Sequence, residues 1–530
     1  MLQVLEAIRQ RAARTPDKPI LRFNGQTTTH GQLLERAARV ANAQRVLGLE
    51  PGDRVAYLGK NTEAWYELLL GGTMTGAIQV SVNWRFATPE VESILDDSGA
   101  RLLVIEPEFA MRHGDLRARL SGLDYVVVLG RPGFDAEAYS AIGYDEWTES
   151  ASAADIGPDN RITSDSTALL LYTSGTTGQP KGAAFSFRRL DAGPDVLVGP
   201  LEMTEDSTSL VFVPLFHTGG LGISLLGLRE GALNIVLPEV DPAAVLRTIE
   251  KDRVTHILAV PTILQMLIDA AADTLTDFSS LRMVAYGASA IAETTLRQAI
   301  DLMGAKFAQV YGSTETCMPV TILLPEDHQA DPRFPDRLRS AGSLAGDAEV
   351  RIVDPHSRDD AAVGSVGEIW ARCSTLMTGY WRRPRDTAEA LTPDGWFRTG
   401  DAGHLDENGY LFIDDRVKDM IISGGENIYP AEVENAVAAH PGVWEVTVIG
   451  LPDERWGEAV TAMVVPRPGH QLTEAEIITF ARARLANYKC PKRVCFLSGL
   501  PHNATGKVIR RELREQHAAD RKTGASHGQA

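Results

Sequence analysis

The chain is 530 residues long, 44% hydrophobic and 23% charged, the make-up of a globular protein with room for a large core and no need of a disulfide or metal staple. Its 52 Lys and Arg against 70 Asp and Glu leave a net charge of −18, which excludes a dominant nucleic-acid function because phosphate backbones call for a basic surface. The four cysteines, Cys317, Cys373, Cys490 and Cys495, form no CxxC pair, so neither a disulfide framework nor a zinc ribbon is expected, and a reducing, cytoplasmic setting fits.

At roughly 150 residues per domain, the length implies two large domains or three to four ordinary ones. Leu2, Val4, Leu5 and Ile8 lie among charges and predict a short amphipathic helix ending before Pro16, without a signal-peptide core. No apolar run approaches the ~18 residues of a membrane span. Further on, TALLLYTSG from Thr167, THILAVPTILQMLIDAA from Thr255, RMVAYGASA from Arg282 and KFAQVYGSTE from Lys306 each set a strand-like run beside a turn or helix. This alternation predicts α/β layers around largely parallel sheet. The last fifth reads differently. Pro430 opens a helix to about His440, ended by Pro441-Gly442; Val443–Ile449 alternates like a half-buried strand; Thr473 and Glu476 form a capping-box pattern. The expected organisation is a large N-terminal multi-layer α/β domain over 1–416, a small mobile α+β domain of two or three strands and two helices over 417–515, and a disordered tail over 516–530.

The strongest local signal is Thr173-Ser174-Gly175-Thr176-Thr177-Gly178-Gln179-Pro180-Lys181-Gly182, directly after the apolar run ALLLY. Small residues let backbone approach a polyphosphate, hydroxyls and amides donate to it, and Lys181 adds charge. It is not a Walker loop, because Gln-Pro-Lys follows Gly178. Tyr311-Gly312-Ser313-Thr314-Glu315-Thr316 combines an aromatic, a glycine, hydroxyls and one carboxylate. Its plainer reading is a capped helix start; its functional one is a seat for a base, a phosphate and Mg²⁺. Asp401, after buried-looking Trp396 and Phe397, has the chemistry to accept two ribose hydroxyls. Gly524-Ala525-Ser526-His527-Gly528 matches a nucleophile elbow but has no strand before it, and is rejected.

Taken together and in order, YTSGTTGQPKG, PLFH, YGASAI, YGSTET, GWFRTGD, DRVKDMIISGGENIYPAEVE and ATGK resemble the adenylate-forming acyl-CoA synthetase and luciferase superfamily, close to its fatty-acyl and aryl-CoA ligase branch. The resemblance runs from about Ile8 to Leu513. It implies that a carboxylate attacks the α-phosphate of Mg·ATP to give acyl-AMP and pyrophosphate, and that a thiol, normally of coenzyme A, then displaces AMP. By that resemblance Thr173 to Lys181 hold the β,γ-phosphates. Gly287, Ala288, Gly312 and Tyr311 enclose adenine, Thr314 meets the α-phosphate, and Glu315 holds Mg²⁺. Asp401 and Arg416 bind ribose. Lys507 bridges substrate carboxylate and nucleotide, and Lys418 is the hinge of a domain rotation that brings in a thiol tunnel beside Gly425 and Trp456. Lys489, Lys492 and Arg493 are candidate cations for coenzyme A phosphates. His217, Thr218, Gly219, Gly220, Tyr286, Gly312, Cys317 and Met318 align with positions that line or gate the acyl pocket. His217 stands where amino-acid-activating relatives place an Asp, which argues against amino-acid substrates and for an apolar or aromatic carboxylate.

Three departures touch no group that the chemistry requires. Ser186-Phe187-Arg188-Arg189 follows the phosphate loop, Ser343–Asp347 lacks the usual prolines, and Asn503 replaces a common basic residue. The competing readings are a ligase with another acceptor (an amine or a carrier-protein thiol), an enzyme activating another oxyacid, or a non-catalytic paralogue; the last is disfavoured because Lys507, Glu315 and the phosphate loop are all present. The partners implied are a small carboxylic acid, ATP and coenzyme A, without nucleic acid or membrane; a homodimer is compatible with the sequence, which does not set oligomeric state.

Overall fold

The computed structural model describes residues 2–522 apart from 131–140, 174–179, 273, 330–332, 335, 355–356, 417–418, 424–425, 429, 454 and 503–507, with backbone only for 415–416, 422, 426–427 and 518–522. The architecture is mixed α/β. Two compact units divide the chain: one gathers 1–290, 295–350 and 371–397, the other 291–294, 351–370 and 398–530.

The first unit holds a nine-stranded and an eight-stranded sheet. In the first sheet, His256–Ala259, Met283–Gly287 and Lys306–Tyr311 run parallel, and the antiparallel Thr321–Leu323 continues it. In the second, Thr167–Thr173 pairs parallel with Ile78–Val82 and antiparallel with Lys181–Ser186. These strands read as apolar runs because both sheet faces are covered. Along Arg54–Leu58, Val55 and Tyr57 enter the main core while Ala56 and Leu58 enter a second one, as the two-residue side-chain period requires. The main core also takes the apolar faces of helices Leu2–Arg14, His30–Val46, Glu63–Thr75, Phe187–Leu201 and Thr218–Glu230. Val4, Leu5 and Ile8 of the first helix are fully buried there, so its amphipathicity serves packing. No described helix is long and apolar enough to cross a membrane.

A four-stranded sheet joins Glu349–Val353, Gly367–Arg372, Phe397–Leu405 and Leu411–Arg416. Because the hairpin 397–416 is hydrogen-bonded into this sheet, compactness divides the chain before that hairpin rather than after residue 416. The C-terminal unit has more strands than expected: Ile421–Ser423, Glu426–Ile428, Val443–Asp453, Gly457–Pro466 and Arg493–Phe496. Its helices Pro430–Ala438 and Glu474–Arg482 fall where the prolines and the capping box place them, and Thr473 Oγ1 accepts from Glu476 N at 3.3 Å. The first residues of the expected tail are helical instead: helix Arg510–Lys522 runs past 516, carried by Glu, Arg, Gln and Ala, all good helix formers, and 523–530 lie outside the described residues.

Candidate active site

The two ends of the phosphate-loop motif are fixed by the sheet. Thr173 and Lys181 are register partners, and Thr173 Oγ1 donates to the Lys181 carbonyl at 3.5 Å. Ser174, Gly175, Thr176, Thr177 and Gly178 lie outside the described residues. The Lys181 ammonium is ion-paired with Asp386, whose carboxyl it holds below the usual carboxylate range.

Tyr311 ends its strand, and the chain then makes a tight turn rather than a capped helix start. Thr316 Oγ1 accepts from Ser313 N at 2.9 Å and donates to the Met318 carbonyl at 3.0 Å. Cys317 N donates to the Thr314 carbonyl at 3.1 Å, and Val320 N to the Tyr311 carbonyl at 2.7 Å. With side chains bonding the nearby backbone, a helix gains nothing here. A Cβ on Gly312 would stand 2.7 Å from the Met318 carbonyl oxygen, and one on Gly287 only 2.1 Å from that of Val310. Both glycines are therefore dictated by close backbone approach, and Ala288 beside Gly287 takes a left-handed φ of 70°.

Glu315 is half-buried and its carboxylate accepts from the Tyr380 hydroxyl at 2.7 Å. Burial, then the Glu315 charge, pushes the Tyr380 phenol well above its ordinary range, so it stays a donor. Tyr380 lies on the short strand Gly379–Tyr380, paired with the strand that Lys181 begins, and its ring centre is 5.3 Å from Lys181 Nζ. One side chain thus links the groups assigned to phosphate and to metal. Sequence reasoning missed Tyr380 and Asp386: nothing in Gly379-Tyr380-Trp381 marks a partner 65 positions away. A hard cation fits the site, because Mg²⁺ is held through one or two carboxylates plus substrate phosphates, and Glu315 beside the Thr314 hydroxyl supplies such oxygens.

The acyl-pocket candidates separate into two groups. His217 stands at the N-cap position of helix Thr218–Glu230 without a side-chain capping bond, edge-on to Phe216 at 4.5 Å between ring centres. Gly219 is half-buried, and a Cβ there would meet only Leu258 Cδ2, at 3.2 Å. Gly220 offers no spare volume: a Cβ would stand 2.3 Å from the Pro214 carbonyl oxygen. Tyr286 is wholly buried, with its hydroxyl 3.0 Å from His328 Nε2. Cys317 is buried too, and burial, then Cys373, pushes its thiol up, which removes it as a nucleophile. Met318 packs where Cβ atoms on Gly193 and Gly222 would fall, 2.7 Å from its Cε and 3.2 Å from its Sδ. It therefore fills the gap between two helices.

In the other unit, Asp401 is buried and sits in register opposite Arg416. Its amide donates to Thr399 Oγ1 at 3.0 Å, and Thr399 Oγ1 in turn donates to the Ile369 carbonyl at 2.6 Å. The pairing slips at Ala402/Gly403, leaving Asp414 as a bulge, and Asp414 Oδ2 lies 3.0 Å from His404 Nδ1. Lys418, Gly425 and Lys507 lie outside the described residues. Three positions after Lys507, Arg510 donates to Glu434 at 2.8 and 2.9 Å and to Asp419 at 3.1 Å. Trp456 is flanked by Arg455, 4.7 Å from its ring centre, and by Lys492, 5.5 Å. Lys489 donates to both carboxylate oxygens of Glu432 at 2.7 Å; Arg493 lies 4.0 Å from Asp453.

The AMP-binding enzyme family matches residues 8–381, and the AMP-binding enzyme C-terminal domain matches residues 432–507. The chain belongs to this family. It is 38% identical to the fatty acid–[acyl-carrier-protein] ligase ScoC of Streptomyces coeruleorubidus, covering 96% of this chain and 95% of that one. It is also 38% identical to a feruloyl-CoA synthase of an Amycolatopsis species, over 96% and 97%. ATP-bound MatB from Rhodopseudomonas palustris superposes with a TM-score of 0.86 at 30% identity, over 98% and 99% of the two chains.

Proposed function

We propose that the protein is an ATP-dependent, AMP-forming acid–CoA ligase acting on an apolar or aromatic carboxylic acid. In the first half-reaction a carboxylate oxygen attacks the α-phosphorus, and the bond to the β,γ-phosphates breaks to release pyrophosphate. In the second, a thiol sulfur attacks the acyl carbon, AMP leaves with the bridging oxygen, and the thiol proton passes to solvent. A carboxylate is a poor acyl donor because its leaving group would be oxide; adenylation makes the leaving group a stable phosphate anion. Catalysis of the first half is thus charge neutralisation and positioning.

The observation that carries this reading is the Tyr380 hydroxyl on Glu315 beside the strand that Lys181 begins. It joins a cation for phosphate to a carboxylate for metal. Mg²⁺ on Glu315 would neutralise the polyphosphate. Thr314 donates to the α-phosphate, Tyr311 stacks on adenine between Gly287-Ala288 and Gly312, and Asp401 with Arg416 takes the ribose hydroxyls. Lys507 bridges the two substrates, and a turn about Lys418 near 416/417 carries it away and brings Gly425 and Trp456 to the thiol. Lys489, Lys492 and Arg493 supply cations for coenzyme A, Lys492 beside Trp456. His217 and Gly219 face the acid, and Met318 limits its depth.

A second reading keeps adenylation and changes the acceptor to a carrier-protein thiol or an amine. The name of ScoC, a fatty acid–[acyl-carrier-protein] ligase, favours it. The test is release of pyrophosphate and AMP over fatty, benzoic and cinnamic acids, with and without coenzyme A. The proposal expects thioester and AMP in equal amounts. Acyl-AMP that accumulates with coenzyme A present, and is consumed only on adding an amine or a carrier protein, replaces the acceptor. No pyrophosphate from any of these acids removes the substrate class.

A further inference from the structure

Both charged groups of the polyphosphate site are already engaged within the protein. Glu315 is held by Tyr380. Lys181 is held by Asp386, over the face of the same Tyr380 ring at 5.3 Å. Asp386 lies in the first turn of helix Pro384–Ala390, which buries none of its residues. That helix is tied down independently of Asp386. Thr387 Oγ1 accepts from Tyr380 N at 2.9 Å and donates to the Arg383 carbonyl at 2.8 Å, and Arg383 is paired with Asp97 at 2.9 Å. The Asp386 carboxylate thus neutralises Lys181 from the first turn of a helix that has other ties, with the Arg383 charge also nearby.

We propose that Asp386 is a resident anion that occupies Lys181 until a polyphosphate displaces it. The inference rests on the reading of Lys181 as a β,γ-phosphate ligand. A lysine ammonium is a compact point charge that a carboxylate and a phosphate compete for. While Asp386 holds it, only a fraction of the protein is ready for the β,γ-phosphates, and apparent affinity falls by that fraction. The same exchange run backwards serves turnover. Once the α–β bond has broken, Asp386 recaptures Lys181 and pyrophosphate is released. AMP, which has no β,γ-phosphates, is outside the exchange.

The experiment is direct calorimetric binding of pyrophosphate, ATP and AMP to the full chain, as wild type, D386N, K181A and the double variant, each with its unfolding midpoint recorded. D386N is expected to bind pyrophosphate and ATP about two- to fivefold more tightly, the range set by releasing one partly exposed ion pair, with AMP unchanged. D386S, which suits a helix start, should act in the same direction and guards against a fold-specific fault of the amide. K181A should weaken both polyphosphates, and D386N should then add nothing. Unchanged or weaker pyrophosphate binding by D386N and D386S overturns the proposal. So does tightening that persists without Lys181, since that would be a general field effect. If K181A leaves polyphosphate binding intact, the assignment of Lys181 itself has failed, and the exchange fails with it.

Discussion

The turn from Tyr311 to Met318, which carries groups proposed for adenylation, and the start of helix Arg510–Lys522, three positions after Lys507, are built on different physics. The turn is fixed by backbone: glycines at 287 and 312 admit carbonyls at distances no side chain tolerates, and Thr316 bonds the chain on both sides. The helix start is fixed by charge, with Arg510 bridging Asp419 and Glu434 while Arg514 adds a second bond to Asp419 at 2.9 Å. A backbone-locked site is set before any ligand arrives and responds little to salt. A charge-locked foundation keeps residues beside the hinge and beside Lys507 in one piece, and leaves that piece sensitive to solution conditions. This division suits the proposed reaction, in which phosphate chemistry uses a fixed frame and Lys507 is carried in and out.

The sharpest way to break the comparison is Gly287→Ala. Its methyl would meet a backbone oxygen of a neighbouring strand, so at least ~3 kcal/mol of stability should be lost, the upper range of overpacking, read as a lower unfolding midpoint of the first unit. A normal midpoint would remove the backbone argument. Arg510→Ala should lose about 1.5–3 kcal/mol, as expected for hydrogen bonds to charged groups. The loss should be confined to the C-terminal unit, visible as earlier hydrogen exchange in 430–466, and it should shrink in high salt. Uniform exchange across both units would mean that the network is not local. Tyr380→Phe keeps the ring beneath Lys181 and removes the hydroxyl from Glu315. Adenylation should fall about tenfold in kcat/KM with a raised Mg²⁺ requirement, while AMP affinity is unchanged; an unaltered metal dependence would detach Tyr380 from Glu315 function.

The smallest effect concerns pH. The hydrogen bond to Asp414 raises the His404 imidazole above its usual value, against the opposing effect of burial. The pair's contribution is therefore fully present below about pH 6.5 and lost as pH rises through the folded value. At under about 1 kcal/mol, it should appear as a midpoint gap between wild type and His404→Gln that narrows as pH rises from about 6.5 through the folded value. A constant gap would mean that His404 acts by stacking on Phe412, whose ring centre is 5.1 Å away.

Much of the fold is legible in the sequence. The strand runs ending at Thr173, Gly287 and Tyr311 appear where apolar runs place them, and Thr173 and Lys181 are register partners. Short-range chemistry also reads correctly at Thr473–Glu476. What the sequence hides is tertiary. Gly220 looks like spare volume until the Pro214 carbonyl is seen against it, and Lys489 looks like a surface cation until Glu432 appears 57 residues away. Tyr380 and Asp386 carry no local signature, because their partners come from other motifs. The YGSTET turn reads as a helix start because Ser and Thr favour both, and only the return of the chain to Val320 separates them.

The central claim is that a fixed phosphate frame and a movable lysine share the work, and Lys507→Ala tests it most directly when the two half-reactions are assayed separately. Pyrophosphate release from acid and Mg·ATP should fall at least ~10²-fold, the scale of one preorganised charge-stabilising donor. Thioester formation from supplied acyl-AMP and coenzyme A should remain near wild type. Equal loss of both halves, or of neither, would contradict the account.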